Sequence, residues 1–344
     1  MVVINGKFMS QRITGVQRYA REILNELDDL LTAGSDFVVA VDKHASDIPS
    51  YKNIRVKQVG SLTGNAWEQI SLPLYVLKHR AVCVNLCNMA PILTPHIVVI
   101  HDVSYKVNKD YFSRKFTMWY NLVFSLIIHR IKQIVTVSQF SRNEICRTYK
   151  TDFRNITIAY NGWQHLRRTP ADSEALSKFG LEQTGFFFAM SSVTPNKNFR
   201  WLAENAKLYP DSLFAVGGSV NEKVFGDALD FTIPSNLKLL GYISDAEART
   251  LMQNCTAFIF PTFYEGFGIP PLEALSEGAK AVVSDTSCMH EIFGEYVYYI
   301  DPYHPETDLN KLIMPQIKPP FQLLEKYDWK KSAEIILKVI NRTQ

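Results

Sequence analysis

FPTFYEGFGIPPLEAL, residues 260–275, is the stretch from which the fold and the binding chemistry of this chain are read. An apolar β-type run ends at Phe260. A loop with two glycines follows, and a helix opens near Pro271. Proline suits a first helical turn, where its missing N–H is not needed. Gly266 and Gly268 let backbone amides come close to a ligand, and a helix N-terminus beside them favours an anion such as phosphate. Glu265 and Glu273 stand at the two ends of this element, so they can address different parts of one elongated ligand.

Working outward, the same strand–turn–helix rhythm fills the chain. β-type runs fall at 2–4, 37–41, 54–59, 81–86, 97–100, 133–137 and 156–159, with helical spacing at 15–31 and 141–149. In the second half, β-type runs at 186–190, 213–216, 237–239, 257–260 and 281–283 alternate with helices at 199–207, 245–253 and 271–277. Such alternation predicts parallel sheets with helices on both faces. A polar stretch with Pro170 separates the halves. The spacing therefore predicts an N-terminal domain over 1–165, a linker over 166–180, a second domain over 181–320 and a C-terminal helical tail over 321–344.

Bulk properties narrow the function. The 344 residues suffice for two domains, and 47% hydrophobic residues suffice for real cores. A formal charge of +3 is too mild for a nucleic-acid binder. The N-terminus has no signal-peptide pattern, and the longest apolar run, 116–128, is too short to span a bilayer. Cys83, Cys87, Cys146, Cys255 and Cys288 are odd in number and scattered, which reads as reduced thiols in a cytoplasmic protein. Residues 114–132 mix aromatic and aliphatic side chains with flanking Arg and Lys. They read either as a buried helix of the first domain or as a helix touching the inner face of a membrane.

Glu265 and Glu273, with seven residues between them around GFGIPPLEAL, resemble the signature of family 4 of the retaining glycosyltransferases. The resemblance implies the α/β GT-B architecture, two Rossmann-like domains facing each other across a cleft. It assigns Glu273 to the ribose hydroxyls of a nucleotide diphosphate sugar and Glu265 to the donor sugar. Gly266, Phe267, Gly268 and Ile269 fall in the donor-binding loop. Further motifs follow in the family's order. In SSVTPNKN, 191–198, Lys197 resembles the phosphate-binding lysine, and Asn196 stands where the family often has Arg. Gly15 in TGVQRY resembles the N-terminal glycine that approaches the phosphates. His101, ending the run IVVIHDVS, resembles the histidine that contacts the donor sugar, with Asp102 orienting it or binding acceptor. Ser138 lies in a segment that lines the acceptor side. Gly241, Tyr242 and Ile243 resemble the border of the nucleotide base, and Tyr160-Asn161-Gly162 resembles the end of the first domain.

Absences point the same way. No Gly-x-Gly-x-x-Gly follows the first β-type run, no Walker loop is present, and no Asp-x-Asp metal motif occurs. The leaving diphosphate is expected to rest on Lys197, the helix N-terminus and the glycine amides, without metal or other cofactor. Together these features imply a retaining transferase that moves a hexose such as mannose, rhamnose or glucose. The acceptor would be a glycan or a lipid-linked sugar, in surface polysaccharide assembly. The alternatives are a nucleotide-sugar epimerase or phosphorylase of the same architecture, or a non-catalytic carbohydrate-binding relative.

Overall fold

The computed structural model describes residues 1–46, 48–108, 113–182, 185–190, 195–218 and 233–344. These form two compact units. The first comprises Met1–Asn161 and Asp328–Gln344, the second Gly162–Tyr327.

In the first unit, seven strands run parallel: β1 (Val2–Asn5), β2 (Phe37–Val41), β3 (Arg55–Gln58), β4 (Val82–Asn85), β5 (Ile97–Val99), β6 (Gln133–Thr136) and β7 (Ile156–Ile158). Their order is β3-β2-β1-β4-β5-β6-β7. Ile4 aligns with Val39 on one side and with Val84 on the other. The central strands VVIN and FVVAV are buried along their whole length, as parallel strands covered on both faces must be. The edge strand RVKQ instead carries Arg55 and Lys57, charges that discourage pairing with another sheet.

The helices of this unit include α1 (Gly15–Leu30), α2 (Arg114–Ile127) and α3 (Gln139–Tyr149). Thr14 caps α1, its N–H donating to the Gln17 side chain at 3.2 Å. Tyr19, Ala20, Ile23, Leu24 and Leu27 form its buried face.

The second unit holds β8 (Phe186–Met190), β9 (Leu213–Gly217), β10 (Leu237–Gly241), β11 (Ala257–Phe260), β12 (Ala281–Ser284) and β13 (Tyr298–Ile300), all parallel. Their order, β10-β9-β8-β11-β12-β13, is the 3-2-1-4-5-6 arrangement of a doubly wound dinucleotide-type sheet. Its helices include α4 (Phe199–Leu208), α5 (Asp245–Asn254) and α6 (Ile269–Ser276). Trp201 anchors the core on one face of the sheet and donates its indole N–H to the Asp301 carbonyl at 3.1 Å.

The α/β class with two parallel sheets agrees with the sequence. The chain leaves the first unit after Asn161, and the stretch 166–180, expected to be a linker, lies within the second unit. There Ala175 is buried, Lys178 pairs with Glu247, and the Asp172 carbonyl accepts from Thr250 at 2.7 Å. The last helix, α7 (Trp329–Thr343), belongs to the first unit. It runs along α1, with Trp329 edge-on to Tyr19 at 5.8 Å. The shorter helical turn Phe321–Lys326 stays with the second unit.

Candidate active site

In a doubly wound sheet, ligands bind beyond the C-terminal ends of the strands where the strand order reverses. In the second unit that point lies between β8 and β11. The loop after each strand is tied to its neighbour there, because the Phe263 N–H donates to the Asn196 carbonyl at 2.9 Å. Lys197 follows Asn196 in a tight turn. Its ammonium group bonds Glu265 Oε1 and lies 5.6 Å from the centre of the Phe260 ring. The two side chains keep 21% and 15% of their surface exposed, so an entering ligand can reach both. Residues 191–194 of the SSVTPNKN motif lie outside the described residues.

Gly268 shapes the loop that follows β11. It takes φ of +96°, a conformation that L side chains rarely adopt. A Cβ there would also stand 3.2 Å from Phe293 and 3.3 Å from Met289. The helix behind it begins Ile269-Pro270-Pro271. Two prolines in the first turn supply no N–H, so the amides that this element can aim at a phosphate are those of Gly266 through Ile269. The helix dipole remains, but the expectation of a phosphate resting on first-turn amides moves to the glycine loop.

Glu273 lies deeper. Its Oε1 is 2.7 Å from His165 Nε2, and the two side chains are only 7% and 2% exposed. Among the described residues its Oε2 has no hydrogen-bond partner. His165 escaped the sequence reading because it stands 108 residues away, three past the Tyr-Asn-Gly motif. Nothing local marks it. Gly241, Tyr242 and Ile243 sit at the end of β10, two strands from β8, on the flank of the switch point. Gly241 has φ of +71°, the Tyr242 ring is 71% exposed, and Ile243 is buried against Gly217.

On the first unit, His101 ends the β5 run as expected, but it is buried. Its Nε2 lies 2.9 Å from the Leu86 carbonyl, which requires the N–H on that nitrogen. Burial holds its pKa below the ordinary histidine value, against the opposing pull of the Leu86 carbonyl and of Asp102. The ring is therefore neutral near pH 7. Asp102 does not hold the ring in place. Its Oδ1 accepts from the Ser104 N–H and hydroxyl at 2.8 and 2.6 Å, capping the next turn. Ser138 is fully buried and its hydroxyl caps α3 through the Ser141 N–H at 2.9 Å. Ser141 in turn donates to the His101 carbonyl at 2.8 Å. Ser138 thus supports the His101 strand end rather than presenting a hydroxyl. Gly15 opens α1 directly after its Thr14 cap.

Comparison with known proteins adds independent evidence. A family model described as glycosyl transferases group 1 matches residues 173–339. An O-antigen chain mannosyltransferase, RfbU, from Salmonella typhimurium is 24% identical over 88% of this chain and 87% of its own. An alpha-1,3-galactosyltransferase from Escherichia coli, named for transfer from UDP-Gal to GlcNAc-diphosphoundecaprenol, is 30% identical over 41% of this chain and 40% of its own. Among solved structures, a sucrose-phosphate synthase from Thermosynechococcus elongatus superposes with a TM-score of 0.69 at 13% identity. It covers 99% of this chain and 94% of its own, a likeness of fold alone.

Proposed function

The chain belongs to the group 1 glycosyltransferases, and from that premise we propose that it transfers a hexose from a nucleotide diphosphate sugar with retention and without a metal. The observation that carries this reading is the Lys197–Glu265 pair at the switch point, beside the Gly268 loop. An ammonium group and a carboxylate in contact suit the two ends of a sugar–diphosphate bond. In this reading the diphosphate takes Lys197, and Glu265 is left to face the sugar, where positive charge develops as the bond breaks. Glu273 Oε2 takes a ribose hydroxyl, and the base lies toward Gly241, Tyr242 and Ile243.

The acceptor oxygen attacks the anomeric carbon on the face that the diphosphate leaves. As that carbon–oxygen bond forms, the bond to phosphate breaks. The acceptor's proton passes to the departing phosphate oxygen, so no separate protein base is needed. Relatives named as mannosyl- and galactosyltransferases favour a hexose donor and an acceptor in surface polysaccharide assembly. The five cysteines are unpaired, which supports a reducing, cytoplasmic setting.

The test is a donor screen. The protein is incubated with GDP-, UDP- and dTDP-linked sugars, and released nucleotide diphosphate is measured beside a Glu273→Ala control. Release from one donor, lost in the control, is the expected result. If no donor binds or reacts, the transferase reading fails.

Among the described residues, no helix is long and apolar enough to cross a membrane. The structure of α2 nevertheless favours surface contact. Val123, Phe124 and Ile127 are buried, while Phe116, Met118, Leu122 and Leu126 are exposed, with Arg114 and Lys115 at the helix start. We therefore include peripheral membrane binding in the proposal. Each basic residue near an anionic surface adds about 1 kcal/mol. The protein is expected to sediment with anionic vesicles at low salt, and Met118→Asp with Leu122→Asp is expected to abolish this. Sedimentation that the double variant leaves intact rules out α2 as the contact.

A further inference from the structure

The pairing of β11 with β12 ends where the loop that carries Glu265 begins. The two strands stay in register up to Phe260 opposite Val283. Beyond that point hydroxyl groups continue the attachment. Ser284 donates to the Phe260 carbonyl at 3.3 Å, and Thr286 to the Thr262 and Phe263 carbonyls at 3.4 Å each. Ser287 reverses the direction, and its hydroxyl oxygen accepts the Glu265 N–H at 3.3 Å. Two residues further on, Met289 stands against Gly268, where an added Cβ would come within 3.3 Å of it. The segment after β12 thus fastens the Glu265 loop from Phe260 to Gly268.

Ser287 is the unusual member of this set. Its φ is +54°, in the left-handed region that favours glycine. The other described non-glycine residues there are Arg80, Asn88, Lys150 and Asn198. Asparagine tolerates that conformation. Lys150 closes α3, and Arg80 follows the end of the helix Leu72–Lys78. Ser287 ends no helix and lies between β12 and the helical turn Met289–Phe293. It is only half-buried, so packing does not demand a side chain there. Glycine would take this backbone at lower cost, and what serine adds is the hydroxyl on the Glu265 amide.

We propose that Ser287 is a positioning residue for Glu265. Its hydroxyl holds the Glu265 amide, and through it the carboxylate that bonds Lys197. A carboxylate that faces developing charge stabilises it best when it is fixed before the charge appears, because no reorganisation is then needed during the reaction. Glu265 lies in a loop, and its N–H falls outside the sheet ladder. Left to water, that amide would let the peptide turn and the carboxylate swing with it. Cys288, the next residue, is fully buried. Burial, and then the charges of Glu265 and Glu291, push its thiol pKa up, so it stays a neutral S–H beside the carboxylate. The consequence for catalysis rests on the transferase reading, whereas the ordering of the loop can be read without turnover.

Two readouts on the full chain test it. Ser287→Gly keeps the left-handed backbone and removes the hydroxyl. In amide hydrogen exchange without donor, the segment 262–268 is expected to exchange about fivefold to tenfold faster in this variant, the range of one lost hydrogen bond. The strands of the second unit are expected to keep their rates. With a donor that the unaltered chain turns over, kcat is expected to fall by a similar factor. Donor KM is expected to stay within about twofold, because Glu265 acts where charge develops. Tm is expected to change little, since relief of the left-handed backbone offsets the freer unfolded chain. Ser287→Asn tolerates positive φ and carries an acceptor oxygen, so it is expected to recover part of both losses. In a Glu265→Gln background, Ser287→Gly is expected to cost less than about twofold more, because the two residues act as one unit. Unchanged exchange over 262–268 overturns the proposal whatever the donor screen returns. So does faster exchange with full kcat, or an undiminished loss in the Glu265→Gln background. If the unaltered chain turns over no donor, the transferase reading fails by itself, and exchange still decides whether Ser287 holds the loop.

Discussion

Replacing Lys197 by alanine is expected to lower transfer about 10²- to 10³-fold, the loss typical when one preorganised electrostatic group is removed from a reacting centre. The residue before it is Asn196, where the resemblance anticipates a second cation, so in the proposed site more of the diphosphate's charge would fall on Lys197. Negative charge grows on the diphosphate as the sugar departs, so most of the loss is expected in kcat rather than in donor KM. Lys197→Arg is the useful companion. Guanidinium keeps the charge but not the compact ammonium geometry, so it is expected to restore activity only in part. Initial rates with a single donor decide the matter. A loss of less than about threefold for Lys197→Ala would move the diphosphate elsewhere, since such a change is under 1 kcal/mol.

His165→Ala is expected to raise donor KM sharply and to destabilise the second unit. The variant strips the Glu273 carboxylate of its described hydrogen bond in a buried place, which costs about 1–3 kcal/mol. For a unit of this size that corresponds to roughly 2–4 °C in Tm per kcal/mol. With Oε1 released, the carboxylate can turn, and Oε2 is no longer held where a ribose hydroxyl would meet it. Stability and positioning can be separated. A His165→Phe, Glu273→Leu double variant removes both polar partners and is expected to recover most of the lost Tm while remaining inactive. His165→Gln can still donate to the carboxylate and is expected to recover part of the donor affinity. Full activity in His165→Ala would show that Glu273 needs no such support.

How much of this was legible beforehand follows from the range of each interaction. Fully apolar runs such as FVVAV and AFIF mark strands covered on both faces, and their alternation with amphipathic helices such as α1 marks parallel sheets. The glycine loop and the proline-led helix of 260–275 are likewise written in neighbouring residues, because positive φ and a missing N–H are local properties. The segment 166–180 misled because its polar composition resembles a linker, whereas one buried alanine and the Lys178–Glu247 pair are enough to fasten it to the second unit.

From neighbouring residues alone, then, came the class of fold, the loop and helix that carry Glu265 and Glu273, and Lys197, the cation proposed to meet phosphate. Only the tertiary structure decided which groups meet. Strand order is a property of the folded sheet and has no local periodicity, yet it sets where each switch point lies. It brings Lys197 to Glu265 across 68 residues, His165 to Glu273 across 108, and Lys7 to Glu68 across 61. Each of these pairs joins groups whose own neighbours in sequence are unremarkable. Their chemistry arises from burial and contact, and both are properties of the folded chain.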